Sequence, residues 1–222
     1  MSNEVKSLIG IGVATLLIVV GAAFFFGGTS SSSKPAEKLS SDQLKQLIRS
    51  DSHVKGTKDA KVLLVEFGDF QCPACGASYP VVTQILNNYQ GKVNFAFRNF
   101  PLPSLHKNAQ IGAEAAEAAG AQNKFFEMYD ALYQNQQEWG DSNKPMDYFE
   151  KYAKTVGLDV EKFKSDVTAK KYESKIQNDI NDGNALSVNA TPTFFINGEK
   201  ISGGLPYDEF KQKIDAALSA AK

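Results

Sequence analysis

Both cysteines of this 222-residue chain stand in one motif, Cys72-Pro73-Ala74-Cys75, and its flanks narrow the choice of fold sharply. Upstream, Val62-Leu63-Leu64-Val65-Glu66-Phe67 is an apolar run that reads as a buried strand. Downstream, Tyr79 to Tyr89 is amphipathic and reads as a helix. A Cys-x-x-Cys pair at a strand-to-helix junction is the position of a dithiol redox site. The helix N-terminus aims unpaired N–H groups and a positive dipole end at the first sulfur, which favours thiolate over thiol. The rival readings are weaker. A structural disulfide closing so short a loop constrains the unfolded chain very little. A zinc site needs about four ligands, and the only histidines, His53 and His106, lack finger-like spacing from the cysteines.

With 24 basic and 25 acidic residues, the chain carries no excess charge that would point to nucleic acid or to a cationic partner. Its 42% hydrophobic and 11% aromatic content suffices for a packed core. Residues 8–26 form an uncharged apolar run, long enough to cross a bilayer as a helix. A secretory signal has a shorter apolar region that ends at a small-x-small site. Here Phe24-Phe25-Phe26 closes the run with no Ala-x-Ala after it, so residues 1–28 are expected to be an uncleaved anchor, with a cleaved signal as the alternative. Residues 29–40, Ser-rich at first, read as a flexible linker. Lys6 precedes the span while Lys34 and Lys38 follow it, so flanking charge does not set the orientation. Cysteine usage points outside the cytoplasm, because a chain whose only thiols form one redox pair has no stray thiol to lose in an oxidising space.

Residues 41–222 then form one domain. A short helix is expected over Asp42–Ser50, capped by Ser41, followed by a first core strand at Lys61–Phe67. The helix from Tyr79 tolerates Pro80 only near its start or at a kink. Val93 to Arg98 alternates Val93, Phe95 and Phe97 against Asn94, Ala96 and Arg98, as a strand does. From about 106 to 186 the periodicity is helical almost throughout. Its aromatic stripes, including Phe125, Met128, Tyr129, Leu132 and Tyr133, read as packed core. A block of that length exceeds any connection and implies an inserted helical subdomain. Thr193–Ile196 and Lys200–Ser202 form a hairpin about Asn197-Gly198, and Tyr207–Ala221 closes the chain as a helix. Strand, Cys-x-x-Cys, helix, strand, helical block, hairpin and helix together imply an α/β fold around a mixed sheet.

Three segments, VEFGDFQCPAC (65–75), FRNFPLP (97–103) and NATPTFFING (189–198), make the chain resemble the thioredoxin superfamily, and within it the DsbA family of thiol–disulfide oxidoreductases. The likeness runs from about residue 40 to the C-terminus. It implies a thioredoxin-like fold with the helical insertion, here preceded by the N-terminal transmembrane helix. It also implies an exposed attacking Cys72, a buried partner Cys75, and a cis peptide bond before Pro192. Client chains would be met by Pro73, Ala74, Thr191 and Pro192, with backbone groups of Thr191 free to pair with them. Glu66 is a lone acid in an apolar strand, costly to bury unpaired; the resemblance implies that it relays protons to Cys75, with Asp69 as the alternative, although its position suggests a turn acid. Ala74 departs from strongly oxidising relatives, which often carry His between the cysteines. His53 and His106 are expected on the surface or in loops, outside the chemistry.

The implied activity is dithiol oxidation of extracytoplasmic proteins, needing no metal or organic cofactor. Clients would be reduced proteins with cysteines, and a quinone-linked membrane oxidase would be the reoxidant. The enzyme is expected to be a monomer; isomerases of this fold usually dimerise through an added domain, and none is visible here, which weighs against an isomerase. A reductase or isomerase of the same fold is one alternative. A peptide-binding or chaperone module with an incidental dithiol is another, which a peptide-oxidation assay would separate.

Overall fold

The computed structural model describes residues 39–221. The apolar run 8–26, with the anchor or signal over 1–28 and most of the linker, lies outside them; among the described residues no helix is long and apolar enough to cross a membrane.

Five strands form one mixed sheet in the order β1-β3-β2-β4-β5: β1 His53–Lys55, β2 Val62–Gly68, β3 Val93–Asn99, β4 Thr193–Ile196 and β5 Glu199–Ser202. The central pair β2 and β3 is parallel, and the other pairings are antiparallel. The β4–β5 turn is made by Asn197 and Gly198, both at positive φ (46° and 86°), which a right-twisted hairpin requires. Among the described residues, nine helices accompany the sheet: α1 Ser41–Leu47, α2 Pro73–Asn88, α3 Ala109–Gly120, α4 Phe125–Gln134, α5 Gln136–Trp139, α6 Pro145–Thr155, α7 Val160–Thr168, α8 Glu173–Ala185 and α9 Tyr207–Ala220.

Both faces of the sheet are covered. Leu64, Phe95, Phe97, Phe194 and Ile196 share the larger core with α2, α9 and the aromatic residues of α4, α6 and α7. Val65, Phe67, Ala96 and Phe195 face a smaller core with Leu47, Phe100, Leu186 and Val188. This second layer explains Arg98. It falls opposite Val93, Phe95 and Phe97 in the alternation, and it too is fully buried. The guanidinium donates to Asp179 and Asp182 of α8 (2.7 and 2.5 Å) and to the carbonyls of Gln46 and Leu47 at the end of α1 (both 2.8 Å).

Several boundaries differ from the sequence reading. The N-cap of α1 is Ser40, in a reciprocal capping box with Gln43, so the helix starts one residue earlier than Asp42. Strand β1 was hidden by its three-residue length. Helix α2 begins at Pro73, six residues before Tyr79, and Pro80 lies inside it. Pro80 cannot supply the N–H that would reach the carbonyl of Gly76, a loss that a well-packed long helix absorbs.

Candidate active site

The cysteine motif straddles the start of α2. Cys72 is the N-cap residue, in extended conformation, and Pro73 occupies N1, where its missing N–H costs nothing. Cys75 therefore stands on the first turn, turned into the core and fully buried. Both cysteines are free thiols. Cys72 is better covered than expected, with 7% of its surface accessible. The residues that do face solvent are Pro73 and Ala74, between the two sulfurs.

What covers Cys72 is the loop before β4. The Thr191–Pro192 peptide bond is cis, and in the thiol form Cys72 donates to the Thr191 carbonyl at 3.3 Å. That carbonyl is therefore engaged by the motif itself rather than left free. Thr191 and Pro192 are buried beside it, and the Pro192 carbonyl accepts from Gly203 N after β5 (2.9 Å).

The two thiols have opposite proton affinities. Cys72 is lowered from 9.0 to about 5. The foremost cause is donation from the Cys75 thiol; burial opposes it, and the Thr191 side chain and the backbone N–H groups of Cys75 and Ala74 add to it. The Thr191 hydroxyl has no partner within ordinary hydrogen-bond geometry, so its share is a looser approach to the sulfur. Cys75 is pushed well above its usual range, chiefly by burial, then by the hydrogen bond its thiol makes to Cys72 and by the charge of Glu66.

Glu66, on β2 beneath the motif, is buried and raised to about 8, because burial outweighs the donation it receives. That donor is Tyr129 Oη, 3.3 Å from Oε2. Asp69 behaves as the turn acid its position suggests: its carboxylate accepts from Gln71 N (2.8 Å) and Leu102 N (3.0 Å) and bonds His106 Nδ1 (2.7 Å). His106 and His53 are not free surface groups. Each is half-buried against a carboxylate, His53 bonding Glu117 at 2.8 Å and stacking on Phe125. Neither lies against the sulfurs.

Two residues at the site escape the sequence reading. Gln136 Nε2, at the start of α5, donates to the carbonyls of Phe70 (2.8 Å) and Cys72 (2.9 Å) and pins the approach to the motif. Tyr129 is indistinguishable by sequence from the rest of its aromatic stripe. Only the fold reveals that its hydroxyl meets Glu66.

The chain matches the family described as Thioredoxin over residues 49–216. A relative from Bacillus cereus named "Probable disulfide bond formation protein D" is 35% identical over 172 residues, which cover 73% of this chain and 77% of that protein. Proteins named Na(+)/H(+) antiporter NhaA are also similar. The one from Salinispora arenicola is 35% identical over 170 residues, 77% of this chain, but the chain spans only 25% of that relative's length. Among solved structures, oxidised BdbD from Bacillus subtilis superposes with a TM-score of 0.70 at 25% identity, covering 76% of this chain and 94% of BdbD. Wolbachia pipientis α-DsbA1 superposes with 0.70 at 25% identity, covering 79% and 94%.

Proposed function

We propose that this chain, which belongs to the DsbA family of thioredoxin-like thiol–disulfide oxidoreductases, works as a dithiol oxidase that passes its Cys72–Cys75 disulfide to reduced client proteins. The observation that carries this direction is the low proton affinity of Cys72. A thiol that prefers to be a thiolate stabilises the reduced enzyme, and whatever stabilises the reduced form makes the disulfide a stronger oxidant.

The steps follow from the asymmetry of the pair. A client thiolate attacks Cys72 Sγ and the bond to Cys75 breaks. Its electron pair leaves with Cys75, which takes up a proton because its buried site disfavours charge. Glu66, still protonated near neutral pH, is the donor we assign. A second client thiolate then attacks the client sulfur of the mixed disulfide and expels Cys72 as a stable thiolate. The client gains a disulfide, and the enzyme holds the two electrons until a membrane oxidase, by our reading quinone-linked, removes them. Pro73, Ala74, Thr191 and Pro192 form the surface that receives the client around Cys72.

The deciding experiment is the reduction potential of the pair against glutathione. An oxidase lies toward the value of about −120 mV known for strong oxidants, and a reductase near about −270 mV. A value at the reductive end overturns the proposal. Because Ala74 adds neither charge nor hydrogen bond between the cysteines, a potential short of the oxidising extreme is expected.

We further read residues 1–28 as an anchor that holds the domain outside the cytoplasm through the 29–40 tether. The protein should fractionate with membranes, start near Met1, and be digested by protease added to intact cells. A mature chain starting between Gly27 and Ser33 would show a cleaved signal instead.

A further inference from the structure

Helix α4 brings to the dithiol a group that neither the motif nor its strand supplies. Tyr129 is buried in a nest of rings, with Phe70, Tyr79, Phe95, Phe97 and Tyr133 all within 6 Å between centroids. Phenylalanine would serve that packing, yet this ring carries a hydroxyl, and the hydroxyl donates to Glu66 Oε2 at 3.3 Å. Across the sheet Glu66 meets no polar neighbour, since its register partners are Phe97 and Phe194. Its other oxygen, Oε1, lies on the Gly68 side. A Cβ on Gly68 would stand 2.9 Å from Oε1 and 2.5 Å from the Phe97 ring, so the absent side chain leaves the space that this oxygen uses.

We propose that Tyr129 is a positioning residue for Glu66: by holding Oε2 from the helical insertion, it fixes the carboxyl that serves the Cys75 thiol and sets the pH at which Glu66 yields its proton. This rests on Glu66 serving Cys75, as assigned above, but not on the direction of electron flow. When the disulfide opens, Cys75 leaves with the S–S electron pair and takes the proton from Glu66. The new carboxylate is held by the Tyr129 O–H. In the reverse direction Cys75 returns its proton to Glu66 before attacking. Tyr129 keeps its own proton throughout, since burial and then the charge of Glu66 push its phenol well above the usual range. The titratable groups facing Glu66 are Cys72 and Cys75 from α2 and Tyr129 and Tyr133 from α4, and Asp130 acts on Tyr129 from the same helix. Tyr129 also lines a cleft of about 500 Å³ with Lys55, Tyr79, Phe126 and Asp130.

The test is the rate at which dithiothreitol opens the Cys72–Cys75 disulfide, expressed per reductant thiolate across pH, in the full chain. The wild-type rate should fall as Glu66 ionises, above the usual carboxylate range because the site is buried. Tyr129→Phe removes a donor to the carboxylate, so the fall should move up by about one pH unit. Tyr133→Phe is the control, because that hydroxyl donates to the Asp69 carbonyl at 3.4 Å and not to Glu66; it should leave the profile in place. An unmoved Tyr129→Phe profile, or equal movement in both variants, overturns the proposal. Should Tyr129→Phe fail to fold, the wild type decides: the Tyr129 ring-carbon NMR signal must titrate with the same midpoint as the rate, and a flat signal rejects the link. A reductive potential would defeat the oxidase reading and leave this result standing.

Discussion

Three positions separate two sulfurs of opposite behaviour, and the cause is where each falls on α2. Cys72, as N-cap, receives the helix's unpaired N–H groups, whereas Cys75, on the first turn, is enclosed by core. Alkylation of the reduced protein should therefore show one fast thiol titrating near about 5 and one that stays slow through neutrality. Equal rates would reject the assignment. The residues of this site that the sequence exposes are those that break a local pattern: two lone cysteines, one acid in an apolar strand, and a proline opening a strand. Gln136 and Tyr129 break none. Their roles come from a glutamine that reaches two carbonyls and a phenol that reaches one carboxylate, contacts made across more than sixty positions of chain.

At the scale of elements, the long helices and the central strands are legible because each repeats its own period several times. Strand β1 and helix α5 are too short to do so, and Pro80 hides the start of α2 by imitating a helix boundary. Arg98 was obscured differently: alternation shows that two faces exist, not that a second layer covers the polar one. That layer hangs on Arg98, which ties α1 and α8 to β3 through two carboxylates and two carbonyls. Arg98→Ala would leave Asp179 buried with its main cation removed, and should cost about 3–5 kcal/mol in denaturant unfolding. Replacing a surface partner such as Lys45, paired with Asp42 in the open, should cost at most about 0.5 kcal/mol. Similar losses for both would show that the Arg98 cluster is not the tie.

For the whole molecule, the depressed Cys72 links redox state to stability. Its thiolate is stabilised by the fold and has no counterpart in the oxidised protein. The contribution is complete above the unfolded value of 9.0 and is lost as pH falls toward about 5. The stability of the reduced form relative to the oxidised form should thus rise across that window, by no more than about 1.4 kcal/mol per pH unit. Glu66 acts in the opposite sense, since a raised carboxyl costs stability as pH climbs from 4.5 to about 8. It is present in both redox forms and largely cancels from the difference. Paired thermal melts across pH, reduced against oxidised, measure this directly, and a difference that does not vary with pH would contradict the assignment of Cys72.

The sheet ends in two very short strands, β1 with three residues and β5 with four. A protein that handles unfolded chains works among loose β-prone segments, and an open strand edge is a template on which such segments assemble. Edges this brief offer few free backbone groups in register, and β5 carries Lys200 and gives way at once to Gly203-Gly204. On the proposed reading, in which this chain meets unfolded clients repeatedly, brevity at the rim would keep it from becoming the seed of an aggregate.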